Sequence, residues 1–235
     1  MNAMITKKEV PLNFNRVARW YDALQKMNPG YTEHLRLSAE RLAVKPDANL
    51  LDLCCGTGLS TEALRAVYPQ ARIDALDASE GMLEVARNRG LAQPLSYILA
   101  DVMELTPEQL NGPYDGILMA YGIRNMPDAD AALARLFPLL KKGGTICFHE
   151  YSVSDSKWSR LMWNVVASTV IIPLGQLTSP GAPIYRYLRR SVLEFDGVTR
   201  FEQRLRDAGF VDVHTEPTNG WAKGIVHSFL ARKPG

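Results

Sequence analysis

Leu50-Leu51-Asp52-Leu53-Cys54-Cys55-Gly56-Thr57-Gly58-Leu59-Ser60-Thr61 decides how this chain is read. An apolar run of strand length enters a turn with two glycines, and a helical pattern, TEALRAVY, leaves it. Glycine lets the backbone turn sharply and approach a ligand where a Cβ would collide. Two glycines alone could equally serve to pack a strand against a helix, so the context has to decide.

That context is rhythmic. After Asn49, the stretches ARIDAL, GMLEVARNR, LSYILA, YDGILMAYG, DAALARLFPLL and TICFHEYS alternate short apolar runs with helical patterns, which predicts βαβ units and a parallel sheet. Upstream, Val17 to Leu42 reads as helix, turn, helix, broken at Asn28-Pro29-Gly30 and ended by Pro46-Asp47. Downstream of Ser152 the rhythm stops. An apolar helical segment from Trp158 to Ile172 meets Pro173-Leu174-Gly175, then a loop rich in Ser, Pro and Gly, then a second helix near Tyr185 to Leu193. The end, RFEQRLRDAGF, VDVHTEP and KGIVHSFLARK, reads as a helix and closing strands. We therefore expect one α/β domain: a helical cover over 1–47, a cofactor-binding core over 48–152, a helical lid over 153–197, and a C-terminal helix with closing strands over 198–235.

Three acids fall at strand ends. Asp77 closes the second run about 20 residues past the glycines, where a carboxylate can accept both hydroxyls of an adenosine ribose or simply cap the helix before Ser79. Asp101 closes the third run, so its carboxylate can take an adenine amino group while the Val102 backbone meets the ring. Ligands of open parallel sheets collect at the carboxyl ends of strands, which makes this an adenosine site. A dinucleotide turn would carry a third glycine where Thr61 stands, and Asp52 before the turn would repel a pyrophosphate. The same acid suits the cationic methionine end of S-adenosylmethionine (SAM), which is the cofactor expected.

Bulk properties narrow the partners. Apolar residues at 46% and charged residues at 22% are ordinary for a folded protein, and a net charge of +2 without a basic stripe argues against nucleic acid. Cys54, Cys55 and Cys147 are odd in number and suit reduced core thiols. The N-terminus carries charges where a signal peptide needs an apolar stretch, and no run reaches the ~18 apolar residues of a span. A cytoplasmic protein is expected. His34, His149, His214 and His227 show no ligand spacing, so no metal is expected.

The blocks LDLCCGTGLS, ALDASEGMLEVAR, ADVMEL, YGIRNMPD and LLKKGGTICFHEYS resemble, in order, those of the UbiE/MenG family of quinone C-methyltransferases. Tyr121-Gly122-Ile123-Arg124-Asn125 is similar to that family's F-G-L-R-N, and Ile184 to Leu188 with Ser191 to its S-Y-R-Y-L-x-x-S. Phe14, Val17-Ala18 and Tyr21-Asp22 resemble its opening, and Gly224 to His227 its closing region. The resemblance implies the Rossmann-like seven-stranded class I SAM-dependent methyltransferase fold. It also implies cofactor contacts from Tyr21, Gly56, Thr57, Gly58, Asp77, Asp101, Val102 and the backbone at Ala120, and a small hydrophobic aromatic acceptor. Two departures stand out: Leu24 to Tyr31 lacks the family's N-x-x-x-S-x-G pattern, and His149 precedes Glu150-Tyr151-Ser152 where the family has L-E-F-S.

Methylating a ring carbon or a phenolic oxygen requires the phenol to give up its proton. His149, at a strand end expected to face the cleft, is the candidate base, with a structural histidine as the alternative. By resemblance Arg124 and Asn125 flank the acceptor and would stabilise and orient a phenolate, with a helix N-terminal cap as the alternative. Tyr185, Tyr187 and His227 are further candidates. The segment holding Trp158, Leu161, Met162, Trp163, Val165, Val166, Val170, Ile171 and Ile172 is apolar around most of its circumference. Core packing, a homodimer contact, a wall for a prenyl tail and a dock on the inner face of the membrane are the readings it permits.

Overall fold

Strand β1 (Asn49–Leu53) lies in the middle of the sheet, which is why its residues are apolar in sequence rather than alternating with polar ones. Leu50, Leu51 and Leu53 are all fully buried. Leu50 packs into one cluster with Ala39, Leu42 and Leu64, whereas Leu51 and Leu53 enter the opposite one with Leu133, Leu136, Phe201 and Leu205, the period of two of a strand covered on both faces. The computed structural model describes residues 5–26, 28–178 and 183–235, and their side chains except at 8, 16, 17, 19–21, 23, 24, 26, 107 and 178.

The remaining strands are β2 (Arg72–Asp77), β3 (Leu95–Leu99), β4 (Tyr114–Ala120), β5 (Leu140–Tyr151), β6 (Val211–Pro217) and β7 (Val226–Arg232). They form a seven-stranded sheet in the order β3-β2-β1-β4-β5-β7-β6. β1 to β5 pair in parallel, and β7 runs antiparallel between β5 and β6. The chain winds outward from β1 through β2 and β3, then returns to lay β4 on the other side. The carboxyl ends of β1 and β4 therefore flank the crevice where such sheets hold ligands.

Between the strands run α3 (Leu59–Val67), α4 (Glu80–Arg87), α5 (Ala129–Leu136) and α9 (Val198–Asp207). Over the strand ends lies α1 (Val10–Lys26), tied down by Asn15, whose Oδ1 accepts from the Gly81 amide at 2.9 Å and from the Ser79 hydroxyl. α2 (Tyr31–Arg41) packs on β5 and α3.

The lid departs from the expected break at Pro173. α6 (Lys157–Val166) passes through a π-helical turn (Ala167–Ile171) straight into α7 (Ile172–Thr178), and α8 (Ile184–Glu194) follows. Pro173 is accommodated where the π-helical turn meets α7, because the i→i−4 ladder is already shifted there, with the Ile172 amide bonding the Ala167 carbonyl. The apolar circumference is divided between neighbours: Trp163 and Ala167 are fully buried, while Trp158, Leu161, Val165, Val170 and Leu177 are exposed. Among the described residues no helix is long and apolar enough to cross a membrane.

Candidate functional site

Two cavities meet above the sheet. The first, about 390 Å³, lies over the carboxyl ends of β1 to β4 and is lined by the turn Cys54 to Thr57, Asp77, Ala100 to Glu104, Ala120 to Gly122, Arg124 to Pro127, and Val10, Pro11 and Phe14 of α1. The second, about 750 Å³, lies under the lid, walled by Met162, Val166, Val170, Ile171 and Leu174 together with Tyr185, Tyr187 and Leu188 of α8. Phe14, Tyr31, Tyr121 and Arg124 line both and so mark their junction.

The first cavity is built for close approach. Gly56 has φ +55°, and a Cβ added there would meet nothing within 4 Å, so the backbone is bare toward the cavity. Gly58 opens α3 at φ +86°, where a Cβ would press on Ala86 at 3.1 Å. Asp77 joins two loops: its carboxylate accepts from the Gly56 amide at 2.8 Å and the Ser79 amide at 2.9 Å. The helix cap is Ser79 itself, whose hydroxyl accepts from the Met82 amide. Burial pushes the Asp77 carboxyl up to about 6. Asp101 is exposed at the rim and accepts from the Met103 amide, Val102 is buried behind it, and Ala120 ends β4 beside the turn. A bare glycine turn, a carboxylate at the end of β2 and another just past β3 are groups that the methionine end, ribose and adenine of SAM would fit. The side chain of Tyr21 lies outside those described.

Asp52 does not line the cofactor cavity. It is wholly buried and accepts from the hydroxyls of Ser60 at 2.8 Å and Thr61 at 2.6 Å, so it braces the first turn of α3 from beneath. Sequence spacing put it beside the turn, but this strand residue, one before the end of β1, points into the packing layer shared with α3 rather than into the crevice. A clamp that the sequence did not announce holds the turn from above: Thr57 donates to Asp22 at 2.6 Å, and Arg89 bonds Asp22, Glu62 at 2.8 Å and the Thr57 carbonyl.

Arg124 and Asn125 stand at the junction in a short 3-10 turn, Ile123–Asn125. Neither caps a helix: that role belongs to Asp128, which accepts from the Asp130 and Ala131 amides. The Arg124 guanidinium is buried and paired with the fully buried Glu150 at 2.7 Å, and it also donates to the Tyr121 carbonyl. Burial lifts the Glu150 carboxyl, and the adjacent Glu150 charge keeps Arg124 above its ordinary value despite the desolvation that opposes it. Nε of Arg124 is buried without a partner. Asn125 donates to the Tyr121 carbonyl at 3.0 Å and accepts from Tyr187 at 3.1 Å.

His149 is not in the cleft wall. It is fully buried behind Tyr121, with Nε2 at 2.9 Å from the Tyr121 hydroxyl and Nδ1 at 2.7 Å from Ser38, and neither cavity touches it. Burial pushes its imidazole down to about 3, which removes the proton affinity a base near neutral pH would need. The register explains the error. β5 continues to Tyr151, so His149 lies two residues inside the strand, opposite Ala120 and Ser228. His227 is likewise buried away from both cavities, whereas Tyr185 and Tyr187 line the second. Tyr121 and Glu150 are what the reading by motif passed over. The signals were present: an acid inside the apolar run TICFHEYS, and a tyrosine where the resembling motif has phenylalanine.

The ubiE/COQ5 methyltransferase family profile matches residues 3–233. A demethylmenaquinone methyltransferase of Staphylococcus aureus is 28% identical over 232 residues, covering 97% of this chain and 94% of that protein. Among solved structures, the [4+2]-cyclase SpnF superposes with a TM-score of 0.67 at 17% identity, over 98% of each chain. Human N-acetylserotonin methyltransferase in complex with SAM superposes at 0.61 and 18% identity, over 93% of this chain. This chain spans 56% of the length of that one. The fold is the class I SAM-dependent methyltransferase fold.

Proposed function

This chain belongs to the ubiE/COQ5 methyltransferase family and is a SAM-dependent methyltransferase, and from that premise we propose that it methylates a ring carbon of a prenylated hydroquinone. The observation that carries the reading is the 750 Å³ cavity with an apolar wall from α6 to α8, joined to the cofactor cavity at Phe14, Tyr31, Tyr121 and Arg124. A flat ring fits the tyrosine-lined junction, and an isoprenoid tail fits the lid cavity. The name of the Staphylococcus aureus relative supports the same acceptor class.

Bound SAM supplies an electrophilic methyl group on a sulfonium. Gly56, Thr57 and Gly58 would hold it by backbone, Asp77 would take the ribose hydroxyls, Asp101 and Val102 would take the adenine, and Ala120 would border the site, with Tyr21 a further contact implied by the family resemblance. Tyr31 and Tyr121, stacked with centroids 5.6 Å apart, confine the acceptor ring near the methyl group and exclude water, which is where alignment contributes most to rate. Arg124, held by Glu150, keeps a positive charge next to the acceptor oxygen, and Asn125 fixes the loop that carries it.

The lid has a second role in this reading. Helices α6 to α8 carry Lys157, Arg160, Arg186, Arg189 and Arg190 against one acid, Glu194, and the outer face exposes Trp158, Leu161 and Val165 at helical spacing. Such a face suits the anionic inner leaflet of a membrane, from which a prenylated acceptor would enter.

Release of S-adenosylhomocysteine from SAM tests the acceptor, using 2-prenyl-1,4-naphthohydroquinone, a prenyl benzohydroquinone and unprenylated phenols. The expected result is turnover on a prenylated hydroquinone with a new carbon–methyl bond. Turnover on unprenylated phenols alone would overturn the reading. It would favour a more polar phenolic metabolite, for which the His34–Asn219 pair in the cavity wall, 2.8 Å apart, offers hydrogen bonds.

A further inference from the structure

Tyr121 leaves β4 at φ +56°, a conformation costly for a bulky side chain and kept only where its surroundings hold it. What holds it is a line of buried hydrogen bonds. The Tyr121 hydroxyl is 2.9 Å from Nε2 of His149, Nδ1 of His149 is 2.7 Å from Ser38 Oγ, and Ser38 Oγ is 2.7 Å from Ser228 Oγ. Arg41 then donates to Ser228 Oγ at 2.7 Å and pairs with Glu216 at the surface.

The line has a direction. Arginine can only donate, so Ser228 accepts from Arg41 and must place its own buried proton elsewhere. Ser38 Oγ, at 2.7 Å, is a better acceptor than the Cys147 sulfur that also lies beside Ser228. Ser38 in turn donates to Nδ1, and the single proton of a neutral imidazole is left on Nε2, where it points at the Tyr121 oxygen. Reversing the order would leave the buried Ser228 hydroxyl proton to the Cys147 sulfur beside it, a weaker acceptor than a hydroxyl oxygen. The full burial of His149 and the lowering of its pKa agree with a neutral ring whose two nitrogens are both engaged.

We propose that His149 is a positioning residue in its neutral Nε2–H form, holding the Tyr121 oxygen so that the Tyr121 hydroxyl proton is presented to the ring oxygen of a phenolic acceptor. The acceptor enters as its phenolate, its proton having passed to solvent. A ring electron pair forms the bond to the methyl carbon while the carbon–sulfur pair returns to sulfur, and where the methylated atom is a ring carbon its proton is then lost to solvent, restoring the aromatic ring. Tyr121 donates a hydrogen bond to the phenolate oxygen throughout, and His149 takes no proton. The inference rests on the phenolic part of the functional reading and not on the prenyl tail.

The tautomer can be read without any acceptor, by ¹⁵N-detected NMR of the imidazoles in the intact protein, with His149→Gln assigning the signal. An Nε2–H imidazole that stays neutral from pH 5 to 8 is expected. An Nδ1–H form, or protonation in that range, overturns the proposal even if the acceptor is misidentified. With a phenol that the wild type methylates, Tyr121→Phe and His149→Leu should each lower kcat/KM roughly 10- to 100-fold, the value of a hydrogen bond to a charged oxygen, with SAM affinity within about twofold. The double variant should be no worse than either single one, because both remove the same donor. His149→Gln, whose amide N–H can replace Nε2–H, should recover most of the activity. Additive losses, or a Gln variant as impaired as Leu, would return His149 to the role of base and refute the proposal. If His149→Leu does not fold, Ser38→Ala serves: removal of the donor to Nδ1 should mix the tautomers, and an unmixed Nε2–H signal would count against the directed line.

Discussion

Glu150→Gln is the sharpest test of how the junction is built. The substitution keeps side-chain shape but leaves the Arg124 guanidinium, 5% exposed, opposite a neutral amide. Breaking a buried pair by neutralising one partner costs about 3–5 kcal/mol, because the remaining charge is left uncompensated in a poorly solvated place. The amide oxygen still accepts one hydrogen bond, which argues for the lower end, about 3 kcal/mol. For 235 residues the unfolding entropy is about 0.5 kcal/mol per degree, so the melting temperature should fall by about 6 °C. Adding Arg124→Met removes the stranded charge, and the double variant should regain at least half of that loss while remaining impaired in methyl transfer. Thermal unfolding followed by circular dichroism, beside S-adenosylhomocysteine release, gives both numbers. A Gln variant within about 0.5 kcal/mol of wild type, or a double variant no more stable than the single, would refute the idea that Glu150 is there to hold Arg124's charge.

Three further outcomes follow from the same geometry. Asp77 must be ionised to accept two ribose hydroxyls and titrates at about 6, so the SAM dissociation constant measured by calorimetry should rise about tenfold between pH 7.5 and pH 5. Because its folded-state value is raised, Asp77 opposes folding as pH climbs and is relieved on acidification, so the loss of affinity should occur without a matching fall in melting temperature attributable to this group. Val166→Trp should fill the lid cavity; losing burial of one five-carbon unit forfeits about 3 kcal/mol, roughly 100-fold in kcat/KM for long-tailed acceptors, with short ones little changed. The protein should sediment with vesicles containing phosphatidylglycerol more than with neutral ones, and the combined change of Trp158, Leu161 and Leu177 to Ser should abolish this. Equal sedimentation of wild type and variant would remove the lid from membrane docking.

Much of the cofactor half could be read from the chain alone. Its signals are local: glycines at 56 and 58 answer to backbone conformations within one turn, and Asp77 and Asp101 fall at strand ends that follow from apolar periodicity. The acceptor half was legible only as a set of residues without places. Whether His149 faces the crevice depends on where β5 ends and what pairs beside it, and a shift of one position in a strand sends a side chain to the other face. The partners that decide its role, Ser38 and Ser228, lie 111 and 79 positions away, and Tyr121 lies 28 away on a different strand's exit. Arg124 read as a free cation until Glu150 of β5, 26 positions on, met it at the turn that follows β4. Sequence determined the chemistry that local geometry enforces: a strand, a glycine turn, acids at the crevice, a helical lid. Tertiary structure decided which charges are cancelled and which protons are committed, because desolvation and hydrogen-bond direction depend on neighbours that only folding brings together.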